Sequence, residues 1–297
     1  MSERPAANPW LVWTLLITLA LIWGSSFILI KKGLQIFSAG EVGALRIFSA
    51  AIVLLPLSLP KLKTLSARQW KWLFISGMLG SFAPAFLFAY AQTQLQSGVT
   101  GVLNALTPIF ALLVGVLFFG GKLKRQDIIG ITLGFAGTIC LIVAGSGGEL
   151  GNFNFYAIFV ILATLCYGFN LNILKFQFSV LTPKIITSIS LFLISPIAAW
   201  YLFVQSDFIL KMQTVPEAKM GLFYICILGV IGTAIALIMF NRLVQLTSPV
   251  FTSFVTYLIP IVAVVWGLLD GEVLYAGHYL GIVFIIIGVA FANRPKK

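Results

Sequence analysis

Ten unbroken apolar runs, each about 20 residues long, leave this 297-residue chain very few ways to fold. They lie at about 10–30, 40–59, 71–91, 97–119, 127–145, 154–174, 184–204, 220–241, 249–269 and 275–293. A helix rising about 1.5 Å per residue crosses the hydrocarbon of a bilayer in about 20 residues and satisfies its own backbone on the way. The runs are continuous rather than alternating and about twice the length of a barrel strand, so strands are excluded. At 60% hydrophobic and 9% charged, the chain also carries more apolar surface than an aqueous globule of this size could bury. The expected fold class is an all-α polytopic membrane protein with ten transmembrane helices. The fifth and tenth runs are the shortest and leave room for a re-entrant loop.

The chain also repeats itself. At an offset of 151, Gln94, Leu95, Ser97, Gly120, Gly130 and Gly137 recur as Gln245, Leu246, Ser248, Gly271, Gly281 and Gly288. Pro108 and Pro260 fall one residue out of step, as a single slip in register would produce. Two five-helix units are therefore expected, residues 1–146 and 147–297. A membrane protein made of two copies of one unit is usually a carrier with its site between them.

Charge gives the two copies their relative orientation. With the amino terminus in the cytoplasm, fourteen Lys and Arg fall on the inner side: Arg4, Lys61, Lys63, Arg68, Lys71, Lys122, Lys124, Arg125, Lys175, Lys184, Arg242, Arg294, Lys296 and Lys297. Lys31, Lys32, Lys211 and Lys219 fall outside, and Arg46 lies within the second run. This is a positive-inside pattern with both termini cytoplasmic, and it accounts for the net charge of +11 without a nucleic-acid role. Five crossings per copy then make the second unit enter from the opposite side. The corresponding loops fit this arrangement, Gly120-Gly121-Lys122-Leu123-Lys124-Arg125 being basic and Asp270-Gly271-Glu272 acidic. Inverted copies around a central cavity can open alternately to the two sides. The first run is too long for a signal-peptide core and reads as an uncleaved span.

Catalytic chemistry finds little material. Cys140, Cys166 and Cys226 stand in separate runs and read as small buried residues, and His278 stands alone near an interface. No phosphate loop or dinucleotide fingerprint is present, so no metal, no cofactor and no enzymatic activity are expected.

Polar residues sunk in apolar helices are expensive in lipid and so mark candidate sites. Arg46, five residues after Glu41, either holds an anionic substrate group or gate, or serves as an anchor paired to a carboxylate or carbonyls. Trp23, Ser25 and Ser26 interrupt the first run, and Tyr167 and Asn170 the sixth. At an offset of 144, Gly24 matches Gly168, Ser26 matches Asn170 and Lys31 matches Lys175, suggesting paired cavity walls. Asn104 and Thr107 precede Pro108 in the fourth run, and Thr256 and Tyr257 precede Pro260 in the ninth. Each proline frees backbone oxygens, so both are expected as hinges or as passive kinks. Tyr90 with Gln92, and Asn241 with Arg242, occupy corresponding run ends as gate candidates. Twenty-six Phe suit a cavity for aromatic or amphipathic cargo, or simply a lipid-facing surface.

Taken together, the Trp23-Gly24-Ser25-Ser26 turn, Arg46, Thr107-Pro108, Ile259-Pro260, Gly271-Glu272 and the glycine-rich fifth and tenth runs resemble the EamA-type permeases of the drug/metabolite transporter superfamily. The resemblance covers nearly the whole chain. It implies ten helices, a cavity walled mainly by runs 1, 3, 4, 6, 8 and 9, and transport of small metabolites such as amino acids, often outward, across a bacterial cytoplasmic (inner) membrane. Two departures stand out. Gly120-Gly121 replaces the Gly-Glu pair usual in the first half, and the first run lacks the embedded Glu through which small multidrug pumps exchange protons.

The expected function is a secondary carrier exporting amino acids or related metabolites by alternating access. A multidrug or toxic-compound exporter and a membrane enzyme or scaffold are the competing readings. Expected partners are a small-molecule substrate and the lipid bilayer, with no nucleic acid. The oligomeric state is left open, a monomer included.

Overall fold

The computed structural model describes residues 9–122, 125–145, 154–178, 181–246 and 254–292. Among these residues the regular structure is entirely helical. The long helices are α1 Pro9–Leu34, α2 Ala39–Ser58, α3 Ala67–Ala91, α4 Ser97–Phe118, α5 Arg125–Gly145, α6 Ala157–Gln177, α7 Pro183–Gln205, α8 Ala218–Leu243, α9 Phe254–Leu269 and α10 Ala276–Ala292. Each apolar run of the sequence holds one of them. Seven, α1 to α4 and α6 to α8, are long and apolar enough to cross a membrane. The fifth run, where a re-entrant loop was open, is a 21-residue helix. Residues 249–253, the start of the ninth run, lie outside the described residues.

Local chemistry sets the helix starts and turns. Ser38 and Ser66 each accept a backbone N–H at the third helical position, while Glu41 and Gln69 reach back to the cap, two reciprocal boxes that start α2 and α3. Gly120 and Gly271 adopt left-handed φ angles of 71° and 82°, a conformation that a side chain resists. Their turns end α4 and α9. The Gly121 N–H bonds to Gly115 O six residues back, whereas the Glu272 N–H bonds to Gly267 O five residues back. One extra residue between Gly115 and Gly120 therefore returns the copies from the offset of 152 shared by the prolines to the offset of 151 shared by Gly120 and Gly271.

Breaks in helical regularity fall elsewhere than the prolines predict. A 3₁₀ turn at Asn104–Leu106 does precede Pro108, but Pro260 lies inside the single α-helix Phe254–Leu269. Wider π-type segments occupy Met78–Phe82 in α3, Tyr201–Gln205 in α7 and Val230–Ile235 in α8. The first and third sit at matching places, in Gly77-Met78-Leu79-Gly80-Ser81 and Gly229-Val230-Ile231-Gly232-Thr233. A π turn takes in one extra residue and leaves carbonyls off the regular ladder, and such turns often mark functional sites.

Close helix contacts come in pairs that obey the sequence offsets. A Cβ on Gly24 would lie 2.5 Å from Val262, and one on Gly168 would lie 2.8 Å from Phe110. Gly229 faces Arg46 O as Gly77 faces Ser190 O, so Ser190 on α7 stands where Arg46 stands on α2. Along the α5–α10 crossing, Gly137 meets Gly281 O and Gly288 meets Gly130 O, with backbone where side chains would otherwise be. Small residues at such crossings let van der Waals packing do the work that hydrophobicity cannot do in lipid.

Two ends of the bundle can be told apart. The carboxyl end of α1 meets the α9–α10 turn through Lys31 and Glu272, and the amino end of α6 meets α3 through Asn154 and Gln94 O. At the opposite end, Arg68 donates to Gln177 at 3.0 Å, and Phe119 stacks on Phe176. Thus α1 runs towards the Lys31 end and α6 runs away from it.

Candidate substrate chamber

Eight helices, α1 to α4 and α6 to α9, enclose a mid-bundle chamber with room for about 180 Å³ of water-sized occupants. Its lining includes Trp23, Ser26, Arg46, Asn104, Thr107, Tyr167, Asn170 and Thr256 from the sequence-derived candidates. The chamber is mostly apolar, with aromatic surface from Phe27, Phe88 and Phe240.

One wall is built on the π segment of α8. Trp23 Nε1 donates to Gly232 O at 3.0 Å, using a carbonyl within the irregular turn. The Thr233 hydroxyl donates to Leu228 O at 3.3 Å and accepts from Arg46 Nε at 2.9 Å. Fixing Nε this way orients the planar guanidinium, against which the Tyr167 side chain also lies. Arg46 has no ion-pair partner among the described residues. Glu41, the carboxylate nearest in sequence, turns instead to Lys211 Nζ at 2.5 Å and to the Ser38 N–H at 2.7 Å. Among the described residues, then, Arg46 bonds a hydroxyl rather than a carboxylate, and Glu41 lies about one and a half helical turns away around and along α2.

The opposing wall is neutral. Ser76 Oγ donates to Asn170 Oδ1 at 2.7 Å. A Cβ on Gly80 would lie 2.3 Å from Asn170 Nδ2, so the missing side chain in the α3 π segment makes room for the amide. Gly232 faces Ser26 Oγ at 3.1 Å in the same relation. Ser190 is 6% exposed, lines the chamber, and its Oγ has no hydrogen-bond partner among the described residues. Nearer the Lys175 end, Asn241 Nδ2 donates to Thr187 Oγ1 at 3.1 Å.

Other candidates lie apart. Ser25 faces away: its hydroxyl donates to Leu21 O at 2.7 Å and accepts from Trp266 Nε1 at 2.8 Å, tying α1 to α9. Tyr90 is 46% exposed and packs on Phe159, so it does not reach the chamber. Gln92 is buried outside the chamber lining and Arg242 is exposed, whereas Asn241 lines the wall. Thr107 donates to Asn104 O at 2.9 Å within the 3₁₀ turn. The side chain of Tyr257 lies outside the described residues. His278 accepts the Tyr275 N–H through Nδ1 at 2.9 Å and so caps α10. No His, Cys, Asp and Glu group suited to a metal occurs among the described residues.

Sequence reasoning missed Ser76, Gly80, Ser81, Thr187, Ser190 and Thr233. The signal for three of them was present: Gly80-Ser81 and Gly232-Thr233 repeat at an offset of 152.

The Lys31 end is closed by a polar network. Glu272 Oε1 accepts from Lys31 Nζ at 2.8 Å, from the Ser97 N–H at 2.8 Å and from Ser97 Oγ at 2.7 Å, while Oε2 accepts the Gly98 N–H at 2.9 Å. The carboxylate therefore caps α4 while holding α1. Asp270 adds Lys31 at 2.8 Å and Lys32 at 2.5 Å. Burial alone would raise the Glu272 carboxyl, but Lys31, Gly98 and Ser97 together outweigh it and hold it below the usual carboxylate range. Hydrogen bonds from Lys31 and Lys32 likewise lower Asp270.

Comparison with known proteins places this architecture. The model of the EamA-like transporter family matches twice, over residues 10–143 and 154–294. The uncharacterized inner membrane transporter YedA of Escherichia coli (strain K12) is 26% identical over 292 residues, covering 95% of this chain and 90% of YedA. A probable terminal-alkyne amino-acid exporter of Streptantibioticus cattleyicolor is 25% identical over 135 residues, 45% of each chain. One crystal structure of another protein superposes with a TM-score of 0.63 at 14% identity, over 95% of this chain and 96% of that one, a likeness of fold alone. With family matches across both halves and helices built to cross a bilayer, the chain is an integral membrane protein and belongs to the EamA-like transporter family.

Proposed function

We propose that the chain is a secondary carrier that exports amino acids or related small metabolites by alternating access. It crosses the membrane ten times as two inverted five-helix units, residues 1–146 and 147–297, with both termini in the cytoplasm of a bacterial cell. The observation that carries this reading is the chamber itself, to which both halves contribute matching π segments and matching wall positions. A site shared by two antiparallel copies can be exposed to either side by rocking one against the other. The Lys31 end is closed by ion pairs, whereas lining residues such as Leu174, Thr187 and Thr256 lie within about one turn of the opposite helix ends. In the positive-inside orientation this is a state facing the cytoplasm, suited to loading cargo for export. The partial similarity to a probable amino-acid exporter supports the same cargo class.

Counterflow of labelled amino acids into proteoliposomes tests the proposal. Saturable exchange of at least one amino acid is expected. Exchange confined to hydrophobic cations would instead favour the multidrug reading, and no exchange of any solute would remove the carrier reading.

A further inference from the structure

We propose that the chamber takes its cargo as a free carboxylate, gripped by Arg46, and therefore accepts N-blocked acids as well as zwitterions while rejecting the matching amides. This rests on the carrier reading above and narrows it to a substrate class.

The argument starts from charge. Among the described residues, the chamber lining contains Arg46 and no Asp or Glu. An arginine without an ion-pair partner in a low-dielectric cavity gains most from an anion that two parallel N–H groups can meet, and a carboxylate has that shape. Thr233 holds Nε at 2.9 Å, so cargo meets the guanidinium at its terminal nitrogens, beside the Tyr167 side chain. That geometry presents a bidentate fork rather than a mobile point charge.

The facing wall defines the other end of the cargo. Ser190, the counterpart of Arg46, is neutral, and its buried hydroxyl lacks a partner. Asn170 offers an amide alongside. These groups can bond an amine or an acylated nitrogen alike, but they carry no charge to balance an ammonium ion. Selection for a positive amino group is therefore weak, and a second positive charge on the cargo is disfavoured. Phe27, Phe88 and Phe240 supply the apolar contact for a side chain.

Phenylalanine, N-acetylphenylalanine and phenylalaninamide separate the possibilities, since they share a body and differ in their charged ends. Reconstituted full-length carrier is assayed for uptake of each compound and for mutual competition. Both carboxylates should be transported, with the amide weaker by on the order of tenfold to a hundredfold, the loss of one charge-assisted contact. Arg46→Gln should abolish that discrimination and Arg46→Lys should restore part of it. Monodisperse elution of each variant controls for folding. Transport of the amide as fast as the acids, or unchanged discrimination in Arg46→Gln, overturns the proposal while the carrier reading stands. Failure of all three compounds, with other amino acids exchanging, also overturns it. Failure of every solute removes both readings.

Discussion

The Lys31 end and the Lys175 end of the bundle are made from corresponding segments, yet a carboxylate closes the first and an amide braces the second. At the Lys31 end, Glu272 folds against Gly267, caps α4 and draws in α1. At the other end Gly121 stands in the place of Glu272, and Lys175 lies over the Phe176 ring at 5.3 Å. Gly115, the counterpart of Gly267, faces Asn172, whose amide donates to Ala111 O and Gly168 O at 2.9 Å. Glu272 joins three elements through one side chain, whereas Asn172 joins α4 and α6. The two ends are thus of unequal strength, and the weaker one is the end the chamber approaches.

The largest expected effect comes from breaking the stronger end. Glu272→Ala leaves Lys31 and the α4 amino terminus without their acceptor, and should cost about 3 kcal/mol, read as a lower unfolding temperature in detergent. An unfolding temperature equal to wild type would mean that the network contributes nothing. Acid should reach the same end point by titration. Because both carboxyls are held below their ordinary values, their stabilisation is complete above the unfolded pKa of about 4. It is lost as pH falls through the depressed native values. The gap between wild type and Glu272→Ala should therefore stay constant from about pH 7 to 5 and close only in stronger acid; a gap that shrinks near neutrality would contradict the assignment. At the opposite end, Asn172→Ala removes two neutral hydrogen bonds and should cost about 1–2 kcal/mol, a smaller loss in the same unfolding assay. Lys32→Ala should matter least, at most about 1 kcal/mol, because the pair is partly exposed and Asp270 keeps Lys31. If Lys32→Ala proves costlier than Asn172→Ala, the ranking of the two ends fails.

Much of this was legible before any coordinates. Apolar runs located every long helix, since length and hydropathy are what the bilayer demands. The slip between Pro108 and Pro260 is visible too, and the structure locates its downstream end, one extra residue in the turn after α4. Among the described residues these two prolines account for one irregular turn, the 3₁₀ turn before Pro108. Pro260 sits in an unbroken helix, while the π segments of α3 and α8 carry no proline of their own and announce themselves only as two Gly-x-x-Gly-hydroxyl patterns. Helix facing was the other gap. Ser25 and Ser26 are adjacent in sequence but about 100° apart around α1, so one reaches Trp266 and the other the chamber. Ser190 escaped notice because serine is cheap in a helix; only packing against Gly77 reveals it as the partner position of Arg46.

The crossing of α5 and α10 has a consequence for how such a molecule can change over time. Lining positions are separate possessions of each copy, and Arg46 and Ser190 have gone their own ways. Where Gly137 touches Gly281 and Gly130 touches Gly288, backbone meets backbone, with a methyl group on Gly137 landing 2.7 Å from the facing carbonyl. Any enlargement there must be answered from across the seam at once, so the seam ties the two halves together more strictly than the chamber wall does.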